Sequence, residues 1–219
     1  ERDGIKPGTE SFCACFSFYA TKSITSGEGG AFITSDPRAA KLVKQLRSHG
    51  ITSEAAQRHR TGLKRYDVDR FGWKYNMDNI QASLLIPQLS FIERRWKIRA
   101  GIAARYRNEL GKAGIEVLDI KPGVKHAHHL FTILVDPDKR DRILENINKA
   151  GIGATINYPP IHLFSFYRKE FGFKEGDFPI AEEIGKRTIS LPLYSRLSQP
   201  EVKYVIAQVC RILKQSDRL

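Results

Sequence analysis

The sequence predicts an α/β chain in two parts: the first carries short buried strands and a long helix, the second is a smaller α/β or α+β domain. Three observations lead there. Residues 12–18, Phe-Cys-Ala-Cys-Phe-Ser-Phe, form an almost uninterrupted run of apolar and small residues, as in a strand buried on both faces. From Asp78 onward, Ile80, Leu84, Leu85, Leu89, Ile92, Trp96, Ile98 and Ala103 keep helical spacing. Beyond Gly111 the pattern alternates between strand and helix periods.

Taken in order, residues 31–34 make a second strand, separated from the first by a stretch rich in hydroxyls and glycines that marks a tight polar turn. Asp36 supplies an N-cap and Pro37 a first-turn proline for a helix running to about Arg47, which Ser48, His49 and Gly50 stop. Residues 51–72 are charged and lack periodicity; so long a loop is functional or mobile and is expected at an interface. Pro87 should kink or divide the helix that follows, and Tyr106 and Leu110 finish it before Gly111. Residues 128–135 then read as a strand, 139–150 as a helix, 153–156 as a strand, 180–186 as a helix, 188–191 as a strand and 199–213 as a closing helix. No Gly- or Ser-rich linker separates the two parts. The boundary is therefore expected within the long helix, giving domains of residues 1–100 and 101–219.

The 219 residues, 41% hydrophobic and 27% charged, have globular composition. No run approaches the roughly 20 apolar residues of a membrane-spanning helix. Residues 1–10 are polar and resemble neither a signal peptide nor a natural start. Three cysteines are an odd number, and Cys13 and Cys15 in their apolar run suit reduced thiols packed in a core, which points to the cytoplasm. A net charge of +12 brings nucleic acid, anionic surfaces and phosphorylated small molecules into consideration, although the basic residues are dispersed along helices as solvated faces.

The turn holds the candidate chemistry. Lys22 follows Phe16, Phe18 and Tyr19 and is surrounded by Ser17, Thr21, Ser23, Thr25 and Ser26. Partial burial raises the neutral, nucleophilic fraction of a lysine amine, hydroxyls can donate to a phosphate, and Gly27, Gly29 and Gly30 admit close approach of backbone. On local features alone an exposed turn lysine is the simpler reading. However, residues 17–30, Ser-Phe-Tyr-Ala-Thr-Lys-Ser-Ile-Thr-Ser-Gly-Glu-Gly-Gly, resemble the Schiff-base segment of the DegT/DnrJ/EryC1/StrS aminotransferases, a pyridoxal-phosphate family of fold type I. The similarity continues through residues 72–82, 129–136, 157–163 and 190–193, in the family's order.

The resemblance implies the end of a large cofactor-binding domain, with a mostly parallel sheet, followed by a small C-terminal α/β domain. It makes Lys22 both cofactor anchor and proton carrier, and Ser17 a ligand of the cofactor phosphate. Lys74 and Asn76 fall in the segment that in the family crosses to the neighbouring subunit's phosphate. There Lys replaces the usual Asn and Asn the usual Arg, and Lys74 still offers a cation. Tyr158 and His162 fall in the stretch that approaches the sugar, and a loop-capping histidine is the alternative for His162. Implied with these are pyridoxal 5'-phosphate as cofactor, glutamate and a nucleotide-linked keto-sugar as substrates, and a homodimer with shared active sites. Residues 72–77, Gly-Trp-Lys-Tyr-Asn-Met, lean toward the 4-amino-4-deoxy-L-arabinose type.

The family's phosphate loop and the aspartate that pairs with the pyridinium nitrogen have no counterpart here, so the chain is expected to be part of a longer protein and a poor catalyst alone. Two classes of rival remain. One is a non-catalytic reading, either a cofactor-binding regulator of the same family or a basic nucleic-acid-binding domain. The other is a zinc site from Cys13, Cys15, His126, His128 and His129, which the one-residue cysteine spacing disfavours.

Overall fold

A computed structural model describes residues 1–52 and 66–216 of the chain, so most of the charged loop expected over 51–72 lies outside the described residues. The chain divides into two compact units. The first comprises Glu1–Ile92 with Pro122–Lys125, the second Glu93–Lys121 with His126–Leu219.

In the first unit, β1 (Cys13–Ser17) and β2 (Gly30–Thr34) pair antiparallel, with Cys13 opposite Thr34 and Ser17 opposite Gly30. The segment between them contains no crossover helix, and a parallel return requires one. Helix α1 (Pro37–Leu46) starts as its sequence dictates: the Asp36 carboxylate accepts from the Arg38 N–H at 2.7 Å, and Pro37 occupies the first turn, where its missing N–H costs nothing. Its last carbonyls are taken by a distant segment. Trp73 N–H donates to the Leu46 carbonyl at 2.7 Å and Tyr75 N–H to that of Arg47 at 2.8 Å, while His49 N–H returns a bond to the Trp73 carbonyl. The crossing is close enough to demand glycine on both sides, because a Cβ on Gly72 would meet the backbone of Gly50 and one on Gly50 the carbonyl of Arg70.

Helix α2 (Asn79–Leu89) is capped by Asp78, whose side chain accepts from Gln81 N–H at 2.7 Å. The helical pattern divides as expected, but at Ser90 and Phe91. Pro87 stays inside α2, two residues before its end. Helix α3 (Ile92–Lys112) follows.

The second unit holds an antiparallel sheet of order β3–β4–β5, formed by Glu116–Val117, Phe131–Leu134 and Thr188–Leu191. Around it lie α4 (Arg140–Lys149), the short α5 (Ser165–Phe171), α6 (Pro179–Arg187) and α7 (Gln199–Ser216). Ile102, Ala103, Tyr106 and Leu110 of α3, Ile143 and Ile147 of α4, and Val202, Val205, Ile206, Val209 and Ile212 of α7 close on Phe131, Ile133, Ile189 and Leu191. The Tyr106 hydroxyl, carried into this core, donates to the Pro192 carbonyl at 3.1 Å.

Three expectations are corrected here. Both sheets are small and antiparallel, where a mostly parallel one was expected. Strand β1 is not buried on both faces: Cys13 is half-buried, Cys15 and Phe16 are exposed, and only Ser26 and Gly50 are buried among the described residues 1–92. An apolar run signals a preference for burial, but burial itself needs a partner surface, and within the unit little covers this hairpin. Residues 153–156 form no strand; Thr155 makes a single bridge to Ser190.

Ile133 lies at the centre of the buried core with none of its surface exposed. Ile133→Ala should cost about 2–5 kcal/mol in urea unfolding followed by circular dichroism, whereas a change below about 1 kcal/mol would remove β4 from the centre of the core.

Candidate functional site

The turn between β1 and β2 is irregular, so its backbone polar groups need individual partners. Phe18 N–H donates to the Gly29 carbonyl at 2.8 Å, Ser26 N–H to the Phe18 carbonyl at 3.0 Å and Lys22 N–H to the Tyr19 carbonyl at 2.9 Å. Thr25 hydroxyl donates to the same Phe18 carbonyl at 3.0 Å and accepts from Gly27 N–H at 2.9 Å, and the buried Ser26 hydroxyl donates to the Glu28 carbonyl at 2.8 Å. Gly29 has φ +147°, and a Cβ there would strike Ser26 Oγ at 2.8 Å and the end of the Met77 side chain.

This network presents Lys22 half-buried, and no described carboxylate pairs with its amine. Ser17 ends β1 exposed; its Oγ accepts from Tyr19 N–H at 3.3 Å, which leaves the hydroxyl hydrogen available to an anion. The two residues thus share one turn, where the Ser17 hydroxyl suits a phosphate and the Lys22 amine an aldehyde. The residues present fit the group that the sequence implies.

Two further segments meet that turn. Met77 packs over Gly29, and Gln88 of α2 bonds Thr25 on both backbone groups, accepting from its N–H at 3.1 Å and donating to its carbonyl at 2.7 Å. The Gly72–Ala82 stretch is therefore joined to the lysine turn within one unit. Lys74 and Asn76 lie exposed on it and hydrogen-bond each other, Lys74 Nζ donating to Asn76 Oδ1. Phe71, Trp73 and Tyr75 alternate with them along the same exposed segment, with Trp73 and Tyr75 stacked at 6.0 Å.

Tyr158 and His162 belong to the second unit. Tyr158 is 63% exposed, whereas His162 is 7% exposed, with Nε2 2.9 Å from Glu182 Oε1. Glu182 is buried on α6, where it also accepts from Gly176 N–H at 2.9 Å and Phe178 N–H at 3.2 Å. One turn along α6, Gly185 leaves room for Pro160, whose Cδ would lie 2.6 Å from an added Cβ. Residues 157–163 are thus clamped at two points to one helix face, and His162 acts on its own loop as the ring that Glu182 holds. Sequence reasoning missed Glu182, Gln88 and Met77. Gln88 and Met77 meet a turn far along the chain, and Glu182 joins the nearby Gly176 and Phe178 N–H groups to the ring of His162.

Cys13 and Cys15 fall in the first unit and His126, His128 and His129 in the second. Among the described residues no three His, Cys, Asp or Glu are grouped to hold a metal ion. His126 and His128 stand beside a cavity of about 540 Å³ near α3, and burial, followed by His126, Arg99 and Arg107, pushes the His128 pKa down. No helix among the described residues is long and apolar enough to cross a membrane.

Comparison with known proteins places these features in context. Residues 1–210 match the model of the DegT/DnrJ/EryC1/StrS aminotransferase family. An uncharacterized protein of Methanocaldococcus jannaschii, MJ1066, is 41% identical over 99% of this chain and 58% of its own. The Bacillus subtilis spore coat polysaccharide biosynthesis protein SpsC is 36% identical over 92% of this chain and 54% of its own. Among solved structures, Helicobacter pylori PseC, an aminotransferase involved in the biosynthesis of pseudoaminic acid, superposes with a TM-score of 0.86 at 27% identity, over 98% of this chain and 57% of that one. The chain thus spans somewhat more than half the length of these relatives.

The Gly176 N–H, together with His162 and Phe178 N–H, holds the Glu182 carboxyl below its ordinary value of 4.5 against the opposing cost of burial. A carboxyl depressed on folding contributes stability that is complete above its unfolded pKa and is lost as pH falls through the lower folded one. Melting temperature should therefore drop below about pH 4.5 more steeply in the wild type than in Glu182→Gln, which has no carboxyl to protonate. Parallel melting curves for the two proteins between pH 6 and 3 would show that the carboxylate is not linked to folding.

Proposed function

Because this chain belongs to the DegT/DnrJ/EryC1/StrS aminotransferase family, we propose that the protein carrying it transfers an amino group from glutamate to a nucleotide-linked keto-sugar, with Lys22 at the reacting centre. Members of the family use pyridoxal phosphate and act on sugar substrates. The observation that carries the reading is the half-buried Lys22 amine, free of any described carboxylate, in a turn built from hydroxyls and glycines. The spore coat polysaccharide role of SpsC and the pseudoaminic acid role of PseC support a sugar acceptor. The Gly-Trp-Lys-Tyr-Asn-Met segment, residues 72–77, favours a product of the 4-amino-4-deoxy-L-arabinose type.

In this reading Lys22 Nζ would hold the cofactor through its aldehyde and, as a free amine, would carry a proton to and from the substrate carbon. When bound, the cofactor supplies the electron sink for the bond that breaks. Ser17 hydroxyl would donate to its phosphate. Lys74, with Asn76 accepting from its ammonium, offers a cation on an exposed segment, which suits the phosphate of a second subunit's site in a homodimer. Tyr158 presents its phenol on the loop that His162 and Pro160 fix to α6, and there it can donate to a sugar hydroxyl.

Incubating the intact protein with pyridoxal phosphate, reducing with borohydride and mapping the peptides should give a phosphopyridoxyl group on Lys22. Lys22→Ala should abolish the adduct and lower turnover of keto-sugar by at least about 10²-fold. An adduct confined to another lysine would overturn the assignment.

A further inference from the structure

We propose that Gln88 is a positioning residue for Lys22. Its carboxamide bonds both backbone groups of Thr25: Oε1 accepts from Thr25 N–H at 3.1 Å and Nε2 donates to the Thr25 carbonyl at 2.7 Å. The same Nε2 also donates to the Leu84 carbonyl at 2.6 Å, one turn back on α2, so the amide that holds Thr25 is itself held to its own helix. A carboxamide sets a donor and an acceptor side by side, as a neighbouring strand would, and no other common side chain of this length does so. Gln88 therefore acts as a one-residue strand partner for a loop with no ladder of its own.

Thr25 is the point at which such a hold has most effect. Its hydroxyl donates to the Phe18 carbonyl and accepts from Gly27 N–H, and Ser26 N–H meets the same Phe18 carbonyl. Fixing Thr25 consequently fixes the end of β1 on one side and the glycines on the other, and Lys22 lies between Phe18 and Thr25 in the span so bracketed. Without the link to α2, the bonds that remain around Thr25 run within the turn itself, and the stretch from Lys22 to Thr25 is held less firmly. A misplacement of about 1 Å at a reacting group can cost on the order of 10²-fold in rate.

The inference rests on the reading that Lys22 receives the cofactor, and its test separates the two. On the intact protein, Gln88→Ala and the near-isosteric Gln88→Glu are compared with wild type. Gln88→Glu keeps an acceptor for Thr25 N–H but sets a carboxylate against the Thr25 and Leu84 carbonyls. Amide hydrogen exchange should lose protection at Thr25 and Ser26 in Gln88→Ala while protection in β3, β4 and β5 is unchanged. Borohydride-trapped labelling of Lys22 should slow about 10- to 100-fold in both variants, with kcat falling more than KM. Wild-type labelling at Lys22 with unchanged exchange and unchanged labelling rate in both variants would overturn the role of Gln88. Absence of label on wild-type Lys22 would instead overturn the cofactor reading, and exchange at Thr25 would still decide whether Gln88 holds the turn.

Discussion

An irregular turn that must keep one shape is the constraint on which the site depends. Between β1 and β2 no ladder is available, so backbone groups from Phe18 to Gly29 are met one at a time, several of them by the side chains of Thr25, Ser26 and Gln88. Fixing each residue in a single backbone well costs about 1–2 kcal/mol in entropy, which is comparable to what one hydrogen bond returns. A turn of this kind holds only when its bonds share atoms. The Phe18 carbonyl accepting from both Ser26 N–H and Thr25 hydroxyl is that sharing in its simplest form.

The two units differ in how they are held. The second closes a continuous apolar core, and its strands β4 and β5 are almost wholly buried. The first is stitched by backbone at the Gly50–Gly72 crossing and where α1 carbonyls go to Trp73 and Tyr75, and by the Gln88 side chain where α2 meets the lysine turn. Backbone stitching fixes geometry with little buried area. It also leaves Phe71, Trp73 and Tyr75 exposed beside Lys74, on the segment proposed for a second subunit's site.

Much of this was legible in the sequence where the signal is local. The Asp36-Pro37 start, the Thr188–Leu191 strand and the closing amphipathic helix each follow from the residues they contain, and the structure reproduces them within a few residues. The lysine turn was marked by its hydroxyls and glycines. Strand pairing was less legible, because a run such as residues 12–18 states a preference for burial but not its partner or direction. Strand β3 has two residues and α5 opens on exposed aromatics, too little pattern for a period to register. Gln88 could not be read at all, because its partners lie on a turn far along the chain, and Glu182 reads only as a first-turn acid of its helix, without the ring of His162 that it holds.

Those two residues solve the same problem with different chemistry. Glu182 meets two backbone N–H groups and a histidine ring, all of which can donate, and a carboxylate, which only accepts, matches them. Gln88 meets one N–H and two carbonyls, and only a carboxamide can answer both. The difference by one atom between the side chains is therefore dictated by the backbone groups they face. In each unit a regular helix thus adds a distant hold to an irregular loop, beside the bonds that the loop's own residues make.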